Sequence, residues 1–458
     1  MLSEAGMMID RTRLAWLLDR ERRAFRERNP RSAAAYAEAR GHLFGGVPMT
    51  WMNKTAAGFP LYLAGARGAR VTDVDGHEYV DLCLGDTGAM AGHSPAPTVA
   101  AVEERFGRAG GATVMMPTED AAWVGAELAR RFGVPYWSLS LTATDANRWA
   151  IRLARAVTGR QKILVNSYCY HGSVDEVLIV VGPDGRQVSR EGNVGAPVDP
   201  TVTSRVVEFN DLPSLERELA YGDVAAVLME PALTNIGIVL PEPGYLEGVR
   251  ELTRRYGSLL INDETHTFSA GPGGCTRAWG LDPDVVTIGK AVGGGIPSGG
   301  YGLSAEVAAR IEAMEGLDLI DMGGVGGTLA GNALSVTAMR ATLEHVLTDD
   351  AFAAMAELAT RFAKGVQEVI DAHRLPWSVV QLGARAEYRF TSPAPRNGGE
   401  SNAAADPGLD DYLHVYLANR GVLLTPFHNM ALMCPATTEA DVDRHHEVFA
   451  AAVAELVA

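Results

Sequence analysis

Three separated segments carry residue types able to do chemistry together. Lys290 ends the apolar run Val285-Val286-Thr287-Ile288-Gly289. A lysine there is either a solvated strand end or an amine poised to form a Schiff base with a carbonyl. Asp263 closes the run Leu259-Leu260-Ile261-Asn262. A carboxylate at the C-terminal end of a parallel strand points into the crevice where α/β domains bind ligands, although a helix cap or an ion pair would use it equally well. Thr142-Ala143-Thr144-Asp145-Ala146-Asn147 puts small and hydroxyl residues where a strand enters a helix. That is either an ordinary N-cap or a phosphate cradle of backbone N–H groups with a helix dipole behind them. Together the three supply a phosphate site, an anion for a protonated pyridine nitrogen and an amine for an aldehyde, which is a protein's share of pyridoxal phosphate chemistry.

The elements that must position these groups are legible in the hydropathy pattern. Short apolar runs recur at Trp137 to Leu141, Ile163 to Val165, Val206-Val207, Ala225 to Met229, Leu259 to Ile261 and Val285 to Ile288. Helical patterns such as Tyr245 to Tyr256 separate several of them, as a sheet covered on both faces requires. The middle of the chain therefore reads as α/β. Residues 10 to 40 read as helix with Leu14, Leu18 and Phe25 near one face, and Gly68 to Leu84 as a hairpin turning at Asp75-Gly76. The expected division is an N-terminal arm and part of a small domain over 1–85, a large α/β domain over 86–332, and a small α+β domain over 333–458. Ser392 to Asp406 reads as a surface loop of that last domain.

Composition narrows the function. With 40 Lys and Arg against 56 Asp and Glu the net charge is −16, which repels nucleic-acid phosphates and anionic lipid surfaces. At 458 residues with 47% hydrophobic content, the chain predicts about two to four globular units. Cys83, Cys169, Cys275 and Cys434 show no CxxC spacing, so reduced thiols in a cytoplasm and no metal site are expected. His445 and His446 are adjacent in a predicted helix and do not share a metal-binding face. No stretch reaches about 18 uninterrupted apolar residues.

Seven segments, in order, carry a family resemblance: Gly68 to Asp81 around Asp73-Val74-Asp75-Gly76, Gly92-His93-Ser94-Pro95, Tyr170-His171-Gly172, Glu230-Pro231, Asp263-Glu264, Pro283 to Lys290, and Gly327-Thr328 to Asn332. From about Gly45 to the C-terminus the chain resembles the class III (ω) aminotransferases of the fold-type I pyridoxal-phosphate enzymes, near the glutamate-1-semialdehyde aminomutase branch. The resemblance implies pyridoxal 5′-phosphate as cofactor, Lys290 as its Schiff-base lysine and Asp263 as the partner of its pyridinium nitrogen. It further implies Tyr170 stacked on the ring, Ala143 and Thr144 in the phosphate cradle, and Glu230 near the O3′ side. Thr328 would reach the phosphate of a neighbouring subunit, so a homodimer is expected. The bland alternatives are a core aromatic for Tyr170 and a helix-start acid for Glu230.

The chain also departs from the family pattern. Ala143 stands where glycine is usual and lacks glycine's freedom at positive φ, which predicts an altered backbone in the cradle. Thr265 replaces the valine packed against the ring. His266 is a candidate extra acid or base, or a structural imidazole. Trp51, Met52 and Arg385 are candidate substrate contacts, Arg385 through a bidentate pair with a carboxylate or else in a surface salt bridge.

The main functional expectation is a transaminase moving an amino group between an amine or amino acid and a keto acid, aldehyde or ketone. An aminomutase or racemase using the same lysine is the alternative. A cofactor-sensing regulator lacks a DNA-binding module, and a nicotinamide dehydrogenase lacks the GxGxxG turn after a first strand. Lys290→Ala is expected to abolish the visible absorbance of the lysine-bound cofactor and the activity while leaving the fold intact. Full retained activity would sink the assignment of that lysine.

Overall fold

The computed structural model describes residues 9–317, 319 and 322–458. The chain divides into two compact units: the larger spans 95–352 with 395–403, and the smaller joins the residues up to Ser94 with 353–394 and 404–458.

The larger unit is built on seven strands: β1 (Tyr136–Ser140), β2 (Lys162–Asn166), β3 (Ser204–Val207), β4 (Val224–Met229), β5 (Leu259–Asp263), β6 (Val285–Ile288) and β7 (Gly299–Leu303). Their order is β1-β7-β6-β5-β4-β2-β3. β7 runs antiparallel to both of its neighbours and the other pairs are parallel. Every residue of β4, β5 and β6 is buried, which is why these runs read as continuously apolar rather than alternating. Helix α1 (Ala143–Thr158) lays Trp149, Leu153 and Ala154 onto a core shared with Ile163, Val165, Leu228 and Ile261.

β7 escapes the hydropathy reading because Gly299-Gly300-Tyr301-Gly302 has little β propensity. Packing explains the composition: a Cβ on Gly302 would stand 2.5 Å from the side chains of Val134 and Trp137, and one on Gly299 would stand 2.8 Å from Ile288 O.

In the smaller unit, strands Leu63–Arg67, Arg70–Asp73 and Glu78–Asp81 form an antiparallel meander extended by Val422–Leu423, and a second sheet pairs Ser378–Leu382, Arg385–Arg389 and Met430–Leu432. The helical stretch expected over 10 to 40 is two helices, Arg11–Arg28 and Pro30–Ala39, because Pro30 starts a new helix after Asn29. Its buried face is Leu14, Leu17 and Phe25, with Leu18 only half-buried.

The unit boundaries fall after Ser94 and Phe352 rather than at 85 and 332. Helix Ala333–His345 joins the larger unit by packing on helices Ala96–Val102 and Glu119–Phe132. Thr98 Oγ1 and Thr342 Oγ1 lie 2.8 Å apart in that contact. The stretch 392–406 is not a plain loop of the C-terminal unit. Its residues 398–403 are helical, and Asn210 Nδ2 donates to Arg396 O at 2.8 Å, tying it to the larger unit. Among the described residues no helix is long and apolar enough to cross a membrane.

One close approach fixes how α1 meets the sheet. A Cβ on Gly289 would stand 2.8 Å from Ala143 N and 2.9 Å from its Cβ, so Gly289→Ala must push helix and strand apart. It is expected to destabilise the protein by about 1–3 kcal/mol. Gly125→Ala, in a helix with open space around the new methyl, is expected to stabilise by about 0.5–1 kcal/mol. Urea unfolding of the two variants checks both signs.

Candidate active site

Asp263, Thr265, Lys290, Ala143 and Thr144 come together where β5 and β6 end and α1 begins. Asp263 pairs across the parallel ladder with Thr287, so the strands deliver Asp263 and the Gly289-Lys290 step side by side. α1 starts at the same level because Thr142 caps it: Thr142 Oγ1 accepts from Asp145 N at 3.1 Å. Ala143 is the first helical residue and has no positive φ. Alanine is accommodated there without a positive φ, because Thr142 caps the helix ahead of it. Gly172, at φ +84, lies so close to Thr144 that any Cβ there would collide with it. The segment Tyr170-His171-Gly172 is thereby pressed onto the helix N-terminus.

Asp263 is buried and clamped. Its Oδ2 accepts from Asn147 Nδ2 at 2.8 Å and lies 2.9 Å from His171 Nδ1, while Oδ1 accepts from Thr265 N at 3.0 Å. Asn147 is held in turn: it donates to His171 O at 3.1 Å, and its Oδ1 accepts from Thr287 Oγ1 at 2.6 Å. Burial pushes the Asp263 carboxyl up, but the His171 hydrogen bond and charge, helped by Thr265 and Asn147, outweigh it and hold the group at about 2. It is a carboxylate at neutral pH. The adjacent Glu264 has a different task. Its carboxylate accepts from Cys275 N at 3.0 Å and Thr276 Oγ1 at 2.6 Å, and burial raises its pKa.

Lys290 takes φ +52, and its Nζ lies 2.8 Å from His266 Nε2. Tyr170 is 41% exposed, which rules out a core aromatic. Glu230 is buried at the end of β4 and accepts from Thr234 Oγ1. No helix follows Pro231, so Glu230 is no helix-start acid. Thr265 is buried beside Asp263, and Thr328 is exposed on the turn Gly327 to Ala330.

The remaining candidates lie in the smaller unit. Trp51 and Met52, both about 40% exposed, line a mainly apolar cavity of about 650 Å³ there. Arg385 is fully buried and donates from Nη2 to Thr87 Oγ1 at 2.6 Å, so the surface salt bridge is excluded. His445 and His446 pack against Phe362. Among the described residues no cluster of three or more His, Cys, Asp and Glu could hold a metal.

Sequence reasoning missed His171 and Asn147 as site residues. The available signals were the His171 between Tyr170 and Gly172, and an amide on the inner face of α1. Only the fold shows that both end on one carboxylate.

This donor set fits pyridoxal phosphate. A buried, ionised Asp263 suits a protonated pyridine nitrogen, Lys290 supplies the amine, and a helix N-terminus approached by Gly172 and Gly289 suits a phosphate.

Comparison with known proteins agrees. The sequence profile of the aminotransferase class-III family matches residues 51–453. The crystal structure of a glutamate-1-semialdehyde-aminomutase from Pseudomonas aeruginosa PAO1 shares 50% identity and a TM-score of 0.95, covering 98% of this chain and 99% of that one. A variant of it was solved in complex with PMP. The glutamate-1-semialdehyde 2,1-aminomutase of Chloroflexus aggregans is 34% identical over 435 residues, covering 91% of this chain and 96% of its own length. An ω-transaminase from Sphaerobacter thermophilus shares 29% identity and a TM-score of 0.83, covering 93% and 97%.

The clamp on Asp263 gives a pH prediction. The folded value near 2 lies below the ordinary 3.8, so ionisation of Asp263 contributes stability that is full above about pH 4 and lost as pH falls through about 2. His171→Leu removes most of that contribution. It should destabilise the protein by about 1–3 kcal/mol at pH 7 and raise the pH of the acid-unfolding midpoint, followed by circular dichroism. An unchanged midpoint would contradict the clamp.

Proposed function

Since the chain belongs to the class III aminotransferase family and is a pyridoxal-phosphate enzyme of fold type I, we propose that it is an aminomutase, moving an amino group between neighbouring carbons of one substrate, with glutamate-1-semialdehyde as the substrate to test first. This is the reading that sequence analysis set second to transamination. The observation that carries it is the 50% identity, over 98% of the chain, to an aminomutase of that name.

When bound, pyridoxal phosphate supplies an electron sink that acidifies the hydrogen on the carbon bearing the amino group. The chain's own residues do the rest. The N-terminus of α1 at Ala143 and Thr144 binds the phosphate through the helix dipole. Asp263, held anionic by His171 and Asn147, keeps the pyridine nitrogen protonated. Tyr170 would cover one face of the bound ring, Thr265 would border the other, and Glu230 would lie on the O3′ side. Lys290 Nζ anchors the cofactor and, once released, takes the proton from the substrate carbon and returns it. We further propose that the protein works as a homodimer in which the exposed Thr328 reaches the phosphate bound by the partner.

The two readings differ in what happens without an external carbonyl compound. The loaded enzyme, given glutamate-1-semialdehyde and no keto acid, is expected to convert many equivalents per site to the isomer with the amino group on C1. Conversion that stops near one equivalent and resumes when a keto acid is added would replace this reading by transamination.

A further inference from the structure

His266 stands at the reacting amine without a role in the chemistry described so far. The residue is 5% exposed, and its Nε2 lies 2.8 Å from Lys290 Nζ. Neither partner reaches this contact on a loose tether. On the histidine side, Glu264 N donates to Thr287 O on β6 at 2.8 Å, and Phe268 N donates to Glu264 O at 2.8 Å. The Glu264 carboxylate is tied to Cys275 and Thr276. The Phe268 ring is packed between Phe132 and Phe352, with centroids 5.8 and 5.3 Å away. His266 thus lies between two anchors that set where its ring points.

On the lysine side, Gly289 abuts Ala143, while Ala291 and Val292 are buried. Lys290 itself holds a φ of +52. A non-glycine residue in that region is strained and persists where the surroundings over-determine it, commonly at functional sites. The backbone therefore aims the lysine at the histidine.

The chemistry gives this contact a use. A lysine freed from its cofactor is a flexible four-carbon chain carrying a strongly hydrated head, yet it must take a proton from one carbon and return it along a defined path. An imidazole nitrogen that accepts a hydrogen bond from Nζ would hold the head in place. We propose that His266 is a positioning residue for Lys290, receiving its amino group through Nε2 each time the lysine is released. In the proton step, the substrate C–H bond breaks, its electron pair stays with the carbon, and a third N–H bond forms on Nζ. His266 accepts a hydrogen bond from the resulting ammonium and gains no proton. Return of the proton breaks the same N–H bond.

The proposal rests on Lys290 being the cofactor-binding amine, and a separate measurement tests that. Borohydride reduction of the loaded enzyme followed by peptide mapping should place the adduct on Lys290. An adduct on Lys54, Lys162 or Lys364, the other lysines of the chain, would refute that reading and the proposal with it.

The positioning role is then tested on the cofactor-free protein by reductive methylation, with those three lysines as internal standards. His266→Leu should raise the relative labelling rate of Lys290 by about 5-fold or more, because the amino group is no longer held in the hydrogen bond to the imidazole. His266→Gln, whose amide oxygen can reach the same place, should stay within about 2-fold of native. His266→Asn, too short to reach, should follow leucine, and it serves as the loss variant if leucine fails to fold. In the loaded enzyme, leucine or asparagine should lower kcat by about 10- to 100-fold with KM changed less than about 3-fold, and glutamine should recover most of the loss. Unchanged Lys290 labelling in both the leucine and asparagine variants, or a loss confined to KM, would overturn the proposal. So would a glutamine variant as impaired as the leucine one.

Discussion

The site depends on keeping one buried carboxylate charged. Asp263 has lost water on every side, a change that by itself favours the neutral acid. It stays ionised because the Asn147 amide, the His171 imidazole and the Thr265 backbone N–H all converge on its two oxygens. Each of those groups belongs to a different part of the larger unit. Asn147 is on the first turns of α1, His171 lies in the segment pressed onto that helix, and Thr265 follows β5. Holding the charge therefore requires the helix, the segment and the strand to be in register, and the same register brings the helix N-terminus to Gly289 and Lys290.

Glycines make that register attainable. Gly172 and Gly289 are where backbone or small side chains of Ala143 and Thr144 fill the space a Cβ would need. The close approach lets a helix dipole act at short range, where it falls off least. Asp263 and Glu264, neighbours in sequence, show how strongly local packing divides tasks. One carboxylate is held by Asn147, His171 and Thr265, and the other is consumed in bonding the turn around Cys275 and Thr276. That turn in turn fixes the direction of His266.

Most of the sheet was legible because strands covered on both faces must be apolar throughout. β4, β5 and β6 are runs of this kind, and their ends mark where Glu230, Asp263 and Lys290 emerge. β7 was not legible, since its glycines answer to the side chains of Val134 and Trp137 and not to strand propensity. The unit boundary after Phe352 was hidden for a similar reason. Helix Ala333–His345 looks like the start of a new helical region, and only its contact with helices distant in sequence assigns it to the larger unit. The conformation of Ala143 was not legible from its residue type: the Thr142 cap lets alanine sit in an ordinary helical position.

The sequence alone determined the chemistry that is available: an amine, an acid and a helix start, placed at strand ends by hydrophobic patterning that depends only on near neighbours. Tertiary structure decided which groups serve them. His171 meets Asp263 across 92 residues, Asn147 meets it across 116, and His266 meets Lys290 across 24. No local pattern encodes such pairings, because they are set by the packing of α1 against the ends of β5 and β6 and by turns whose geometry depends on buried carboxylates. Residue types could nominate the lysine and the aspartate, but the charge state of one and the direction of the other are properties of the folded core.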